Sequence, residues 1–327
     1  MVCKEKKRLT YERLLHHPAL ELLQHPNYNA SGAEFFTELI ANKLLTGNAF
    51  IFATGLDNMS PKELYLLDSN SVEVQIKDSK VTGYLYPKSS KNFYPVDYIN
   101  KKCKILHIKN YNPFDQKYGM PCLDAATMPI DLYNQVVQWN CALLKNGARP
   151  SGALILKDSN SYLDEEQFER LKDQLYEKYT GSSNSGMPLL LEGGLDWKEM
   201  SINPKDMDFL QSKNSAAREI ALAFGIPPQL LGINGDNTYS NMQEARLALW
   251  EETLIPLLDR IADSLTLWLS ALFKEDIIID FDRDSISALT EKRENLWSKI
   301  ATANFMTINE KRNMVGLPPI VGGDILS

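Results

Sequence analysis

Asp280, Asp282 and Asp284, in IIIDFDRD, are the residues of this 327-residue chain whose types and spacing best suit chemistry. Strand alternation sends every second side chain to one face, so the three carboxylates would share a face, and carboxylate oxygens are what Mg²⁺ takes for phosphoryl-transfer or nuclease chemistry. The same alternation suits a strand end whose polar face meets water. Without a partnering His, Lys or acidic pair elsewhere, the solvated face is the favoured reading, and a Mg²⁺-dependent nuclease or other DNA-processing enzyme is the alternative.

Other reactive side chains are less promising. His16, His17 and His25 lie in HHPALELLQHP, which reads as a turn-flanked surface helix, and His107 alternates with Leu106 and Ile108 in a strand and is expected to face solvent. Cys3, Cys103, Cys122 and Cys141 are scattered without a CxxC pair, so free or buried thiols are expected in place of a zinc site or a disulfide framework. No GxxxxGK[ST], HExxH, GxSxG or strand-borne GxGxxG occurs. No catalytic residue, metal or cofactor is expected.

Composition bounds the class. A hydrophobic content of 44% implies a packed core. The longest apolar stretches, AFIFA at 49–53 and LTLWLSALF at 265–273, fall short of the roughly 20 residues a membrane-spanning helix needs. The N-terminal MVCKEKKRLTYERLL has no apolar run of the secretory kind, so the chain is expected to stay in the cytoplasm that made it. A net charge of −7 argues against affinity won by coating nucleic acid with Lys and Arg. Any encounter with DNA should therefore lack a strong grip.

The elements that must carry these residues alternate between sheet and helix. SGAEFFTELIANKLL (31–45) reads as a helix opened by a Ser31/Glu34 capping box, and the runs GNAFIFAT, ELYLLD, SVEVQIK, VTGYLY and KILHIKN read as strands of a mostly antiparallel sheet. Residues 124–145 form a helical pattern through Leu132, Val136, Trp139 and Leu143, stopped by Asn146, Gly147 and Pro150. Between Ser151 and Ser201 lies a small inserted unit: the strand GALILK, the helix DEEQFERLKDQLYEKY, and two apolar runs joined by Gly193 and Gly194 in hairpin fashion. A helix follows Pro204 and ends at Gly225. GIPPQLLGINGDNTY then makes a connection of unusual length between two strong helices.

The second of those helices starts near Ser240, with Gln243 in capping-box spacing, and its stripe Leu247, Trp250, Leu254, Leu258, Ile261, Leu265, Trp268, Leu272 runs on to Phe273. Pro256 sits in its middle. Proline removes one backbone donor and crowds the carbonyl of Glu252, so a kink at Pro256 is expected. IIIDFD reads as a strand returning to the first sheet, and EKRENLWSKIATAN and NEKRNMVG, behind a Thr307/Glu310 capping box, read as closing helices.

Five ordered segments, NGARPSG (146–152), LDWKEMSINPKDMDFL (195–210), AREIALAFGIPPQLLG (217–232), NTYSNMQEARLALWEETLIPLLDRI (237–261) and FMTINEKRNMVGLPP (305–319), resemble the portal, or head-to-tail connector, proteins of long-tailed bacteriophages. The likeness spans about residues 30 to 320. It implies an α+β portal fold with wing, stem, clip, tunnel loop, long kinked helix and crown-like end. Applied here, it makes 1–124 the N-terminal segment and wing, 125–147 and 205–224 the stem helices, 148–204 the clip, 225–239 the tunnel loop, 240–285 the kinked helix and a wing strand, and 286–327 the crown-like helices. The family has more residues before its first wing helix and a longer C-terminal tail.

The resemblance further implies a dodecameric ring at one capsid vertex of a virion assembled in the bacterial host cytoplasm. Through it double-stranded DNA passes without sequence specificity, during packaging and ejection. The implied partners are the terminase large subunit, major capsid and scaffold proteins, and a head-tail adaptor; no membrane is involved. On this reading Gln229, Asn234, Asp236 and Asn237 of the tunnel loop face DNA, in a stretch from Gly225 to Asn241 with no Lys or Arg. Sliding DNA is best served by such groups, since each lasting cation–phosphate contact adds a barrier to motion. Glu165, Glu166, Glu169 and Asp173 of the clip helix become a candidate oligomer or terminase surface, although the same charge pattern suits a plain solvated face.

Overall fold

The computed structural model describes residues 2–7, 10–14, 16–55, 60–88, 91–145, 152–156, 164–179, 195–199, 209–233, 239–317 and 319–325. The chain divides into two compact units, one formed by Met1–Ala125 with Leu222–Ser327 and one by Ala126–Ala221.

The first unit is built around a strand covered on both faces. β3 (Asn48–Thr54) lies between β4 (Glu63–Leu67) and β8 (Ile105–Lys109), antiparallel to both. Its apolar run is continuous because both faces are buried, where a half-exposed strand would alternate. Ala49, Ile51 and Ala53 enter a core with α1 (Pro18–Gln24), α2 (Gly32–Thr46) and the long helix described below, through Leu23, Phe35, Leu39, Ile261, Leu265 and Leu269. Phe50, on the other face, joins Val74, Tyr84 and Ile105 in a second core beneath β5 (Glu73–Lys77), β6 (Lys80–Leu85) and β7 (Phe93–Pro95).

Local chemistry sets the ends of these elements. The capping box of α2 is formed: Glu34 N–H donates to Ser31 Oγ at 3.3 Å and Ser31 N–H to Glu34 Oε2 at 2.8 Å. Gly47 ends the helix at φ 75°, and a Cβ there would meet the Gly119 carbonyl at 2.5 Å.

In the second unit α3 (Cys122–Lys145) and α5 (Phe209–Ala223) are joined by the stacked rings of Trp139 and Phe209, centroids 4.2 Å apart, and by Lys213 over the Tyr133 ring. The first turn of α3 and the last residues of α5 belong to the first unit. β9 (Gly152–Leu156) pairs antiparallel with β10 (Leu195–Glu199), and α4 (Glu165–Tyr179) lies between them in sequence. The expected Gly193–Gly194 hairpin lies outside the described residues.

Back in the first unit, α6 (Tyr239–Ala248), a π-helical stretch Leu249–Leu254 and α7 (Ile255–Phe273) follow without a break. α6 begins at Tyr239, so Ser240 falls inside its first turn and not at the cap. Burial along this path is uneven. Leu247, Trp250, Leu254 and Leu258 are half-buried, whereas Ile261, Leu265, Trp268 and Leu269 are buried, and Trp268 Nε1 donates to the Cys103 carbonyl at 2.7 Å. After Lys274, at φ 59°, the chain reverses into β11 (Ile277–Asp280), held to α7 by Ile279 N–H donating to Thr266 Oγ1 at 2.9 Å and Ser270 Oγ to the Ile277 carbonyl at 2.8 Å.

Two expectations about strands are corrected here, the first being that the strands between residues 48 and 109 form one sheet, where they form two of three strands each. β11 pairs not with the β3 sheet but with β1 (Val2–Lys7), which pairs in turn with β2 (Thr10–Leu14) in a separate three-stranded sheet. The lysine-rich start of the chain masks this hairpin from a reading based on apolar runs. The structure ends in α8 (Thr290–Ala301) and α9 (Ile308–Met314), whose Thr307/Glu310 capping box is formed.

Candidate functional site

The acidic triplet does not assemble. β11 stops at Asp280 and the chain turns into a 3-10 segment at Arg283–Ser285, so the period of two that would align the carboxylates ends before Asp282. Asp280 Oδ1 accepts the Phe281 N–H at 2.8 Å, Asp282 Oδ1 accepts the Asp284 N–H at 3.1 Å, and Asp284 pairs with Arg293 at 3.0 Å. Each carboxylate thus serves a local turn or an ion pair, and among the described residues no group of three His, Cys, Asp or Glu is arranged to hold a metal. The nuclease alternative loses its geometric basis.

His107 is also corrected. Its ring stacks on Phe50 at 4.1 Å, and Nε2 lies 2.9 Å from Asn48 Oδ1. Asn48 Nδ2 donates to the Thr46 carbonyl, which fixes Oδ1 as the acceptor toward both His107 and the Gly119 N–H at 2.7 Å. Nε2 is therefore the protonated nitrogen of a neutral ring, and burial, then the nearby Lys109, depresses its pKa to about 3. His17 is equally structural: it caps α1 through Nδ1, which accepts the Ala19 N–H at 3.1 Å, and Nε2 reaches Glu275 Oε2 at 2.9 Å.

The long connection after α5 has a definite anchor. Gly225, at φ 69°, closes the helix with its N–H on the Leu222 carbonyl at 2.9 Å. Thr253 Oγ1 donates to the Gly225 carbonyl at 2.5 Å, tying the start of the loop to the π-helical stretch. Pro227 and Pro228 then pre-set a 3-10 turn over Pro228–Leu231, in which the Leu230 N–H donates to the Pro227 carbonyl at 3.0 Å and which packs against α6. Gly232, at φ 73°, releases the chain from this turn.

Gln229 lies half-buried in that turn. Asn234, Asp236 and Asn237 lie outside the described residues.

Pro256 is the second residue of α7. It has no N–H to offer the Glu252 carbonyl, and in a regular α-turn its ring crowds that oxygen. The wider π turns fall where that conflict arises, with the Ile255 N–H donating five residues back to the Trp250 carbonyl. They also place Thr253 against Gly225, a pairing that neither residue's local sequence announces.

On α4, Glu165, Glu166, Glu169 and Asp173 are exposed. Glu166 pairs with Arg170 at 2.7 Å and Glu169 with Lys172 at 3.2 Å, within the same helix. An open cleft of about 1070 Å³ beside α6 is lined by Leu247, Leu289 and Leu296 and spanned by an ion pair of Lys292 with Glu251.

At the root of α3 a buried Lys43 donates to Asn110 Oδ1, and Asn110 Nδ2 donates to the Met120 carbonyl at 3.0 Å. Burial first, then Arg260, lowers the Lys43 pKa. Its spacing of four from Leu39 and eight from Phe35 puts Lys43 on the inward face of α2, where the apolar pattern calls for no lysine; its partner Asn110 lies 67 residues away.

The phage portal protein family model matches residues 1–316. A Rickettsia felis protein is 66% identical over 325 residues, 99% of this chain and 84% of its own, and the portal protein of Enterobacteria phage HK97 is 23% identical over 318 residues, 95% and 72%. Among solved structures, the neck of an empty GTA particle computed with C6 symmetry includes a chain 40% identical to this one, with a TM-score of 0.72, covering 98% of this chain and 86% of that one. A chain in the neck of the native GTA particle, computed with C12 symmetry, is also 40% identical, with a TM-score of 0.67 and coverage of 92% and 84%. Gene transfer agents are the particles so abbreviated. With its α+β fold and a family match running through α9, this chain belongs to the phage portal protein family.

Proposed function

We propose that the chain assembles as a ring at one vertex of a capsid and acts there as a conduit for double-stranded DNA and a docking platform for the packaging motor and tail. The observation that carries this reading is the 40% identity, over nearly the whole chain, to a component of particle necks computed with C6 and C12 symmetry. Residues 225–239 are the channel segment. The unit Ala126–Ala221 corresponds to stem and clip, and the sheets and α7 to the wing.

Twelve copies, a terminase large subunit at the clip face that holds Glu165, Glu166, Glu169 and Asp173, capsid and scaffold proteins, and a head-tail adaptor complete the assembly. The role is structural, with ATP hydrolysis supplied by the terminase. Among the described residues no helix is long and apolar enough to cross a membrane.

In support of the channel reading, the loop has no Lys or Arg from Gly225 to Asn241, so phosphates would pass it without a deep electrostatic well. The anchor through Thr253 and the 3-10 turn pre-set by Pro227 and Pro228 give such a loop a fixed base. Negative-stain images of the purified protein should show twelve-fold rings with a central hole; a protein that forms compact unpierced particles overturns the conduit. Asp236→Lys should leave rings intact and slow packaging, and an unchanged packaging rate would remove residue 236 from the channel wall.

A further inference from the structure

A stretch that the fold gathers into one lobe carries a charge opposite to that of the remaining chain. Residues 74–109 hold eight lysines and two aspartates, with no arginine or glutamate, a net charge of +6 in a chain of −7, which leaves −13 elsewhere. Six of those lysines decorate the sheet of β5, β6 and β7. Lys77 and Lys80 face each other across the two-residue turn Asp78–Ser79, whose φ values of 50° and 59° mark a tight hairpin. Lys88 and Lys91 lie in the connection from β6 to β7, and Lys101 and Lys102 lie in the turn after β7, fastened to the sheet by Tyr98 Oη donating to the Val81 carbonyl at 2.7 Å. Five of the six are exposed and Lys102 is half-exposed.

Apart from Lys102, whose charge helps hold the Asp97 carboxyl below its usual range, these ammonium groups are not used by the fold among the described residues. None of the ion pairs among the described residues involves them, whereas Arg170, Lys172, Arg283, Lys292 and Arg293 are all paired. Of the two acids, Asp97 turns inward on its own loop, accepting from the N–H groups of Ile99 and Asn100 and from Asn100 Nδ2. Placing Lys77 opposite Lys80 sets like charges across a strand pair, a local penalty with no compensating contact in the lobe. The scaffold beneath is firm, since Val74 and Tyr84 are buried with Phe50 and Ile105.

We propose that this lysine lobe is a sequence-independent binding surface for the phosphate backbone of double-stranded DNA, separate from the loop between α5 and α6. Lysine is a compact point charge without arginine's planar fork, and a surface of ammonium groups with no arginine suits positioning contacts to the phosphate backbone. A six-residue strand such as β6 spans about 20 Å, a length of duplex that carries roughly a dozen phosphate charges. The choice of DNA over an acidic protein as the polyanion rests on the conduit reading. The acidic balance of the whole chain is no obstacle, because screening confines each charge to about 10 Å and the lobe acts through its own field.

The test is fluorescence anisotropy of a labelled random-sequence 30-base-pair duplex titrated with the full chain from 50 to 300 mM NaCl, with ring state imaged in parallel. Wild type should bind two duplexes of unrelated sequence equally. A variant with all six lysines changed to Gln should bind at least tenfold more weakly at low salt, and its log–log salt slope should be shallower by up to about 5. Lys172→Gln on α4 should behave as wild type, and an unchanged circular dichroism spectrum certifies the fold of the six-fold variant. Wild-type affinity and slope in that variant, or no binding by wild type at 50 mM, overturns the proposal. Loss of binding to an acidic protein or of subunit association, with DNA affinity unchanged, gives the surface to a protein partner and also overturns it. If rings never form but the lysine variant alone loses DNA, the lobe stands and the conduit reading falls.

Discussion

Replacing Gly225 with alanine should loosen the base of the loop between α5 and α6 by about 2–3 kcal/mol. A non-glycine residue at φ 69° costs about 1–2 kcal/mol in the left-handed region. The new Cβ would lie 2.8 Å from Thr253 Oγ1 and 3.0 Å from its Cγ2, so the threonine must swing away and surrender its bond to the Gly225 carbonyl, about another 1 kcal/mol. Thr253→Ala removes that bond and opens the space, leaving its Cβ 3.5 Å from the added methyl. The double variant should therefore fall short of the sum of the single costs by about 1 kcal/mol. Native-state hydrogen exchange is the suitable assay, because a chain of two compact units does not unfold as one two-state system. The amides of Gly225 and Leu230, bonded to Leu222 and Pro227, should exchange about 30-fold faster or more in Gly225→Ala. Exchange within threefold of wild type, or strict additivity in the double variant, would refute the anchor as drawn.

Two further outcomes follow from side chains set elsewhere. His107 is neutral in the fold with a pKa depressed to about 3, while the unfolded chain takes up a proton near 6.5. Its contribution is thus present above pH 6.5 and is lost as pH falls toward 3, at a slope approaching about 1.4 kcal/mol per pH unit. Urea midpoints at pH 7, 5 and 4 should fall less steeply in His107→Gln, and identical slopes would contradict the half-buried neutral ring. Asn309 holds the C-terminal turn through Nδ2 to the Ile320 carbonyl at 3.1 Å and to Asp324 Oδ1 at 2.8 Å, and accepts the Ile320 N–H at 2.8 Å. Asn309→Ala should weaken that docking by about 1–2 kcal/mol and raise proteolytic cleavage after residue 315, with α7 unaffected; equal cleavage in both proteins would show that the turn is held by other contacts.

Apolar periodicity and caps make the sheet strands, α2, α3, α7 and both capping boxes legible, because these depend on residues within a few positions of one another. What stays hidden depends on distant partners. The alternation of Asp280, Asp282 and Asp284 looks like one face until the backbone leaves the strand at Asp280. His107 looks solvent-facing until β5 and β6 cover the side of β3 and β8 that carries it, with Tyr84 edge-on to its ring. β1 is invisible to apolar pattern since its pairing with β11 is a backbone matter. Gly225 and Thr253 lie 28 residues apart and meet where the helix widens before Pro256. The lysines of residues 74–109, in contrast, are plain in the sequence and are obscured by the acidic total, which averages over surfaces that never share a field.

The division of the long helix at Pro256 has an energetic meaning beyond its geometry. Local opening costs follow the apolar contacts that must be broken, and these are concentrated after the proline, where Ile261, Leu265, Trp268 and Leu269 are buried against the β3 sheet and Trp268 and Thr266 add bonds to Cys103 and Ile279. Before it, Leu247, Trp250 and Leu254 are half-buried, and the cross-links are exposed ones, Thr253 to Gly225 and Glu251 to Lys292. α6 therefore yields at lower free energy than α7. A proline at the boundary removes the N–H that would carry helical cooperativity across it, so motion of the loop's support need not propagate into the core. Under the proposed conduit function, a channel segment must adjust to each passing stretch of duplex while its ring stays closed, and the uneven burial of one continuous helix would supply that separation.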